Sequence, residues 1–206
     1  MAPIILASSS RYRKALLEQL NVSAVCIAPH IDEQALAAEH PEATALRLAQ
    51  LKAQKVAHQT RRSHPGSIII GSDQVACIQN PNKQNAAEQI HVLGKPGSTD
   101  KAIAQLRAQS GKSVMFYTAV CVVHGEASRT AVIPTQVQFR VLSEQEIKRY
   151  VAVDNPIDCA GSFKSEGLGS LLFERVSSDD PSALIGLPLI TTMAFLRSFG
   201  INPLAH

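Results

Sequence analysis

The string LASSSRYRKALL, Leu6 to Leu17, constrains this chain most. Ile4 to Leu6 predict a buried strand, and Ser8, Ser9 and Ser10 a sharp turn. Arg11 to Lys14 open a helical pattern that continues through Leu16, Leu17 and Leu20. The turn leaves backbone N–H groups free at the helix N-terminus, where the positive end of the helix dipole suits an anion, above all a phosphate. Arginines in a first turn oppose that dipole unless negative charge lies beside them. The plainer reading of the same residues is a serine cap followed by two solvated arginines.

Strand-like runs and helical patterns go on alternating. Val22 to Ile27 reads as a second strand and His30 to Ala38 as loop. Pro41 to His58 reads as a long helix with proline near its start. Ser67 to Ile78 carries Ile68-Ile69-Ile70, a strand buried on both faces. An Asn80-Pro81-Asn82 turn opens a polar stretch to Gln89, and Thr99 to Ser110 is a helix capped by Ser98 or Thr99. Ser113 to Val123 and Thr130 to Val141 are long β-rich runs joined by a hairpin loop, His124 to Ser128. Ser143 to Val153 is a helix opened by a Ser143/Glu146 capping box. In the glycine- and serine-rich stretch from Asp158 to Arg175, Leu171 to Phe173 is strand-like. Leu187 to Phe199 is a closing helix ended by Gly200. The expected class is α/β with a sheet part parallel and part antiparallel.

Composition narrows the function. The 206 residues are 45% hydrophobic, enough for a sizeable core in one domain or two small lobes. A net charge of +3 permits an anionic substrate without announcing a nucleic-acid polymer as partner. Aromatics at 4%, with no tryptophan, argue against a stacking platform for several bases. Cys26, Cys77, Cys121 and Cys159 have no metal-ligand spacing, and buried reduced thiols in a cytoplasmic protein are the expectation. The N-terminal apolar run is too short and uncharged for a signal peptide, and no run is long enough for a membrane span.

Two positions stand out for chemistry. Asp73 ends the Ile68 strand, where open α/β sheets bind ligands. A carboxylate there holds a divalent cation or deprotonates a water, or else caps a turn. Lys52, Lys95 and Lys164 recur beside apolar runs, and handling a triphosphate needs several cations around one site. Gly111-Lys112-Ser113 fails as a P-loop, because Leu106 stands where a glycine is required and a strand follows. Gly167 and Gly169 fall short of a dinucleotide fingerprint, and none of the seven histidines is read as catalytic.

Taken in order, the pieces resemble the Maf-like nucleoside triphosphate pyrophosphatases. The matching stretches are LASSSRYRKALL (Leu6 to Leu17), Ile31-Asp32-Glu33, RLAQLKA (Arg47 to Ala53), IIGSDQV (Ile69 to Val75) and Gly94-Lys95-Pro96. They continue with FRVLSEQEI (Phe139 to Ile147), CAGSFKSEG (Cys159 to Gly167) and IGLPL (Ile185 to Leu189). The resemblance implies one domain over residues 1–206 with a Maf/ITPase-like mixed sheet and flanking helices, elongated and two-lobed with a central cleft. It implies hydrolysis of a nucleoside triphosphate between the α- and β-phosphates with a divalent metal cation (Mg²⁺, Mn²⁺ or Co²⁺), in a chain that is often a homodimer. By motif match Asp73 takes the proton-acceptor position, and Ser8, Arg13, Lys52 and Lys95 take phosphate-side positions. Glu33 becomes a metal-side carboxylate beside Asp73, and Lys164 falls in the last binding motif.

Three positions sort substrates in that family, here Tyr12, Gln74 and Glu166. The set resembles the 7-methyl-GTP subgroup, with tyrosine in place of its usual tryptophan, rather than the dTTP/UTP subgroup. Methylation at N7 makes guanine cationic, so stacking on Tyr12 gains roughly 0.5–2 kcal/mol of cation–π energy. Glu166 can accept from the N1–H and N2–H₂ edge of the base. A broader housecleaning pyrophosphatase acting on other modified or pyrimidine nucleotides, or a nucleotide-binding regulator of septum formation, are the alternatives.

Overall fold

The computed structural model describes residues 2–79 and 90–205; the turn read at Asn80-Pro81-Asn82, with its polar stretch to Gln89, lies outside them. The chain divides into two compact units, Met1–Asp73 with Thr118–Ile133 and Asp180–His206, and Gln74–Tyr117 with Pro134–Asp179. Among the described residues one mixed sheet has the strand order β2 (Val25–Cys26), β1 (Ile4–Leu6), β3 (Ile68–Gln79), β5 (Ser113–His124), β6 (Ala127–Phe139), β7 (Phe173–Ser178), with β4 (Ile90–Leu93) paired to β3.

The first unit contains β1 (Ile4–Leu6), α1 (Arg11–Gln19), β2 (Val25–Cys26), α2 (Pro41–Thr60) and the start of β3 (Ile68–Gln79). It also holds the last helix, α5 (Leu189–Ser198). Strand β1 pairs parallel with both neighbours, Ile5 opposite Val25 and Ile69. Ile4, Leu6, Ile68 and Ile70 share one core with Leu16 and Leu17 of α1 and Met193 and Leu196 of α5. The side-chain period of two sends Ile69, Gly71 and Asp73 to the opposite face. There α2 lies against the strand: a Cβ on Gly71 would fall 2.3 Å from the Ala49 carbonyl oxygen and 2.7 Å from the Ala53 nitrogen. Only glycine permits that approach.

The second unit holds the remainder of β3, with β4 (Ile90–Leu93) antiparallel to it, and α3 (Thr99–Gln109). The long strands β5 (Ser113–His124) and β6 (Ala127–Phe139) run through both units. The second unit continues with α4 (Glu144–Asp154) and β7 (Phe173–Ser178), which pairs antiparallel with β6. Phe116, Phe139, Phe163 and Phe173 pack edge to face with ring centroids 4.9–5.8 Å apart.

Several expected boundaries move. The hairpin loop tightens to Gly125-Glu126, because Gly125 takes the positive φ (59°) that a two-residue turn requires. Leu168–Leu172 forms a 3₁₀ turn, and the strand begins at Phe173, where the Leu171 to Phe173 reading ended. β7 is exposed along most of its length and has little apolar alternation to betray it. The second strand shrinks to two residues, Val25–Cys26. Cys77 and Cys121 are buried, and burial pushes both thiols up to about 11. Cys26 is exposed and Cys159 half-buried, so the expectation of buried thiols holds for two of the four. Among the described residues no helix is long and apolar enough to cross a membrane.

Candidate active site

The β1–α1 turn is built as its serines suggest. Ser10 caps α1, its hydroxyl accepting from the Arg13 N–H at 3.4 Å, and the Ser10 N–H donates to the buried Ser8 hydroxyl at 3.1 Å. Arg13 turns inward from the first turn of α1. Its Nε donates to the Gly186 carbonyl at 2.8 Å, and its Nη1 to the Ser72 carbonyl at 2.9 Å and the Ser8 hydroxyl at 3.4 Å. Burial lowers its pKa, while Asp73 and Glu33 pull the other way, so the misplaced positive charge of the first turn has negative partners within the protein. Ser72 is fully buried and donates to the same Gly186 carbonyl at 2.8 Å. Gly186 has φ 120°, which favours glycine, and its carbonyl gathers both donors.

Lys52 is the centre of the cluster. The apolar stripe of α2 runs Ala45, Leu48, Ala49, Lys52, Ala53, Val56, so the lysine falls on the face that packs against β3. Its Nζ donates to Asp73 Oδ1 at 2.6 Å and pairs with Glu33 Oε1 at 2.7 Å. The Lys52 and Asp73 side chains are 7% and 10% exposed, while Glu33 is 56% exposed. The two carboxylates are balanced by the Lys52 ammonium and the Arg13 guanidinium, and the cluster opens on the Glu33 side.

The loop carrying Glu33 is latched to α2 by residues that sequence reasoning missed. Arg47 grips Glu39 in a bidentate pair, both contacts at 2.7 Å, and donates from Nη2 to the Gln34 carbonyl at 3.0 Å. The Glu39 carboxylate also accepts from the Leu36 N–H and the Thr44 hydroxyl. The Arg47 hydrogen bonds, chiefly, hold its pKa down at about 2. The signal available in the sequence was an arginine on the same helix as Lys52 and a glutamate eight residues before it.

Tyr12 is half-buried on α1, and the Arg11 guanidinium lies 4.8 Å from its ring centroid while donating to its hydroxyl at 2.8 Å. One face of the ring therefore already takes a cation. In the second unit Gln74 is half-buried, directly after Asp73 on β3, and Lys95 and Glu166 are exposed. The Lys164 ammonium is hydrogen-bonded to the Asp154 carbonyl at the C-terminus of α4. The structure thus brings Ser8, Arg13, Glu33, Lys52 and Asp73 together in the first unit. It places Gln74, Lys95, Lys164 and Glu166 in the second.

Among the described residues no three His, Cys, Asp or Glu side chains cluster as a metal cage. The donor set still fits a hard divalent cation. Asp73 and Glu33 present oxygens to one cation already, and Mg²⁺ is commonly held by one or two carboxylates with substrate phosphates and waters completing its shell.

Asp73 does not end its strand as expected: β3 runs on to Gln79, so the carboxylate stands in mid-strand, where Gly71 lets α2 bring Lys52 against it. A buried lysine–carboxylate pair there, next to a serine turn at a helix N-terminus, defines a site for polyanion chemistry. The model of the family described as Maf-like protein matches residues 3–199, and the chain belongs to that family. A 7-methyl-GTP pyrophosphatase of Idiomarina loihiensis is 45% identical over 204 residues, covering 98% of this chain and 97% of that one. A protein of the same name from Bordetella avium is 46% identical over 201 residues, 98% of this chain and 95% of its own. Among solved structures, the Staphylococcus aureus Ham1 protein shares the fold, with a TM-score of 0.50 at 14% identity over 95% of this chain and 98% of that one.

Proposed function

We propose that this protein hydrolyses 7-methyl-GTP to 7-methyl-GMP and pyrophosphate. The observation that carries the reading is Lys52, buried between Asp73 and Glu33, in a chain 45% identical to proteins bearing that activity's name. Water adds across the α–β anhydride, Asp73 takes a proton from it, and the α–β bridging oxygen departs with pyrophosphate. Lys52 orients the Asp73 carboxylate and, with Arg13 and Lys95, offsets charge that builds on the phosphates. The Ser8 hydroxyl and the α1 N-terminus face a phosphate oxygen. A divalent cation held by Asp73 and Glu33 would neutralise the triphosphate and polarise the bond that breaks.

The base is read by Tyr12, Gln74 and Glu166. A cationic purine stacks on Tyr12 in the place that the Arg11 guanidinium takes now, and Glu166 accepts from its Watson–Crick edge while offsetting its charge. The Lys164 ammonium is tied to the Asp154 carbonyl, so Lys164 acts through the turn that carries Glu166. The test is a turnover panel of 7-methyl-GTP, GTP, dTTP and UTP, each with and without Mg²⁺, Mn²⁺ or Co²⁺. The reading expects metal-dependent release of pyrophosphate with 7-methyl-GTP preferred. A preference for the pyrimidines would refute the substrate, and binding without turnover would make the protein a nucleotide-binding regulator.

A further inference from the structure

The segment Ala160 to Gly169 is held far more tightly than its glycine and serine content suggests. Gly161 and Ser162 both have positive φ, 73° and 62°, a costly conformation for the buried serine. Beyond them every polar group of Lys164 is engaged. Its N–H donates to the Tyr150 hydroxyl at 2.9 Å, and its carbonyl accepts from the Gly167 N–H at 3.2 Å and the Gly169 N–H at 3.0 Å. Its ammonium donates to the Asp154 carbonyl. A Cβ on Gly169 would fall 2.3 Å from the Lys164 carbonyl oxygen.

Tyr150 and Asp154 lie one turn apart on α4 and meet this segment together. The Tyr150 ring is buried, and burial, with Asp154 acting in the same direction, keeps the phenol protonated. The Asp154 carboxylate backs onto Gly167: a Cβ there would fall 2.8 Å from Oδ1. Among the described residues Asp154 Oδ2 is buried with no hydrogen-bond partner, a cost that simple scaffolding would not require. Glu166, exposed, sits between the two residues that α4 fixes, Lys164 and Gly167.

We infer that Tyr150 and Asp154 are positioning residues for substrate choice: they hold the Lys164–Gly167 turn so that the Glu166 carboxylate is presented to the base at a fixed height and angle. The inference rests on the reading of Glu166 as a base-recognition residue. A flexible glutamate would lose rotational entropy on each binding event, and one on a pinned turn has lost part of it in advance. The same pinning disfavours bases whose edge does not match.

The experiment compares wild type with Tyr150→Phe, which removes only the hydroxyl, with Gly167→Ala, whose Cβ collides with Asp154, and with Glu166→Gln. The readouts are the ratio of kcat/KM for 7-methyl-GTP to that for GTP, and amide hydrogen exchange at Lys164. Tyr150→Phe and Gly167→Ala should each lower the ratio by about tenfold, chiefly through KM, and Tyr150→Phe should speed exchange at Lys164. Combined with Glu166→Gln, neither should lower the ratio further, because both act through the same carboxylate. A ratio that falls in Glu166→Gln but not in the other two overturns the positioning role and leaves the base reading intact. A ratio unmoved by Glu166→Gln overturns both, because no selectivity is left to position.

Discussion

The two units hold their charged side chains in opposite ways. In the first, Lys52, Asp73 and Arg13 are turned inward and, apart from the local contact of Arg13 with Ser8, paired with partners 19 to 173 residues away in sequence. In the second, Glu166 and Lys95 stand exposed, and Lys164 is fixed through backbone groups within fifteen residues of it. A charge that must act on reacting atoms gains from a low-dielectric setting, where each interaction is stronger and costs no reorganisation. A charge that must choose among bases gains from being reachable and well aimed. The comparison teaches that turnover and selectivity should fail separately.

The strongest break is Lys52→Met. Stripping the ammonium leaves Asp73 buried without its ion-pair partner, at a cost of about 3–5 kcal/mol in stability. Turnover of every nucleotide should fall by at least ~10²-fold. Denaturant midpoints and a turnover panel check both, and an active, stable Lys52→Met would dissolve the distinction between the units. Next comes Gly71→Ala, which adds a methyl where α2 and β3 already touch. It should cost about 1–3 kcal/mol and lower turnover of all nucleotides alike by moving Lys52 from Asp73.

Glu166→Gln should act on one side of the comparison only, lowering the preference for 7-methyl-GTP over GTP by about tenfold while retaining turnover of GTP. Tyr12→Trp is smaller. The larger ring should lower KM for 7-methyl-GTP by a few-fold, roughly 0.5–1 kcal/mol, and leave GTP less affected. Equal gains for both bases would mean the ring reads stacking area rather than charge.

The smallest effect is on pH. The folded pKa of Glu39, about 2, lies below its unfolded value of roughly 4.3. Its contribution to stability is thus fully present above that unfolded value and is lost as pH falls toward 2. Glu39→Gln should flatten the acid limb of the stability curve between those values and lower stability by a pH-independent amount near neutral pH, and equal stability of the two proteins at pH 7 would contradict it.

Much of this was legible in the residues. Pro41 and the apolar stripe announce α2, Ser143 and Glu146 announce the capping box of α4, and the isoleucine run announces β3. Strand β7 was not, because its FERVSS sequence is solvated and the adjacent leucines belong to a 3₁₀ turn. The identities of Asp73, Lys52 and Arg13 were legible as a pattern, but their burial was not. A lysine within an apolar stripe reads as a solvated surface residue until Gly71 is seen to bring the strand beneath it. The supporting contacts, Gly186 with Arg13 and Ser72, Arg47 with Glu39, and Tyr150 with Lys164, join residues whose distance along the chain carries no local signal.

The central claim is that the buried Lys52–Asp73 pair serves hydrolysis at the α–β bond of 7-methyl-GTP. The most direct test is product analysis by phosphorus NMR for wild type and Asp73→Asn with a divalent metal present. The account predicts 7-methyl-GMP and pyrophosphate in equal amounts from wild type, and a rate at least ~10²-fold lower in a folded Asp73→Asn. Release of orthophosphate with 7-methyl-GDP, or full turnover by Asp73→Asn, would contradict it.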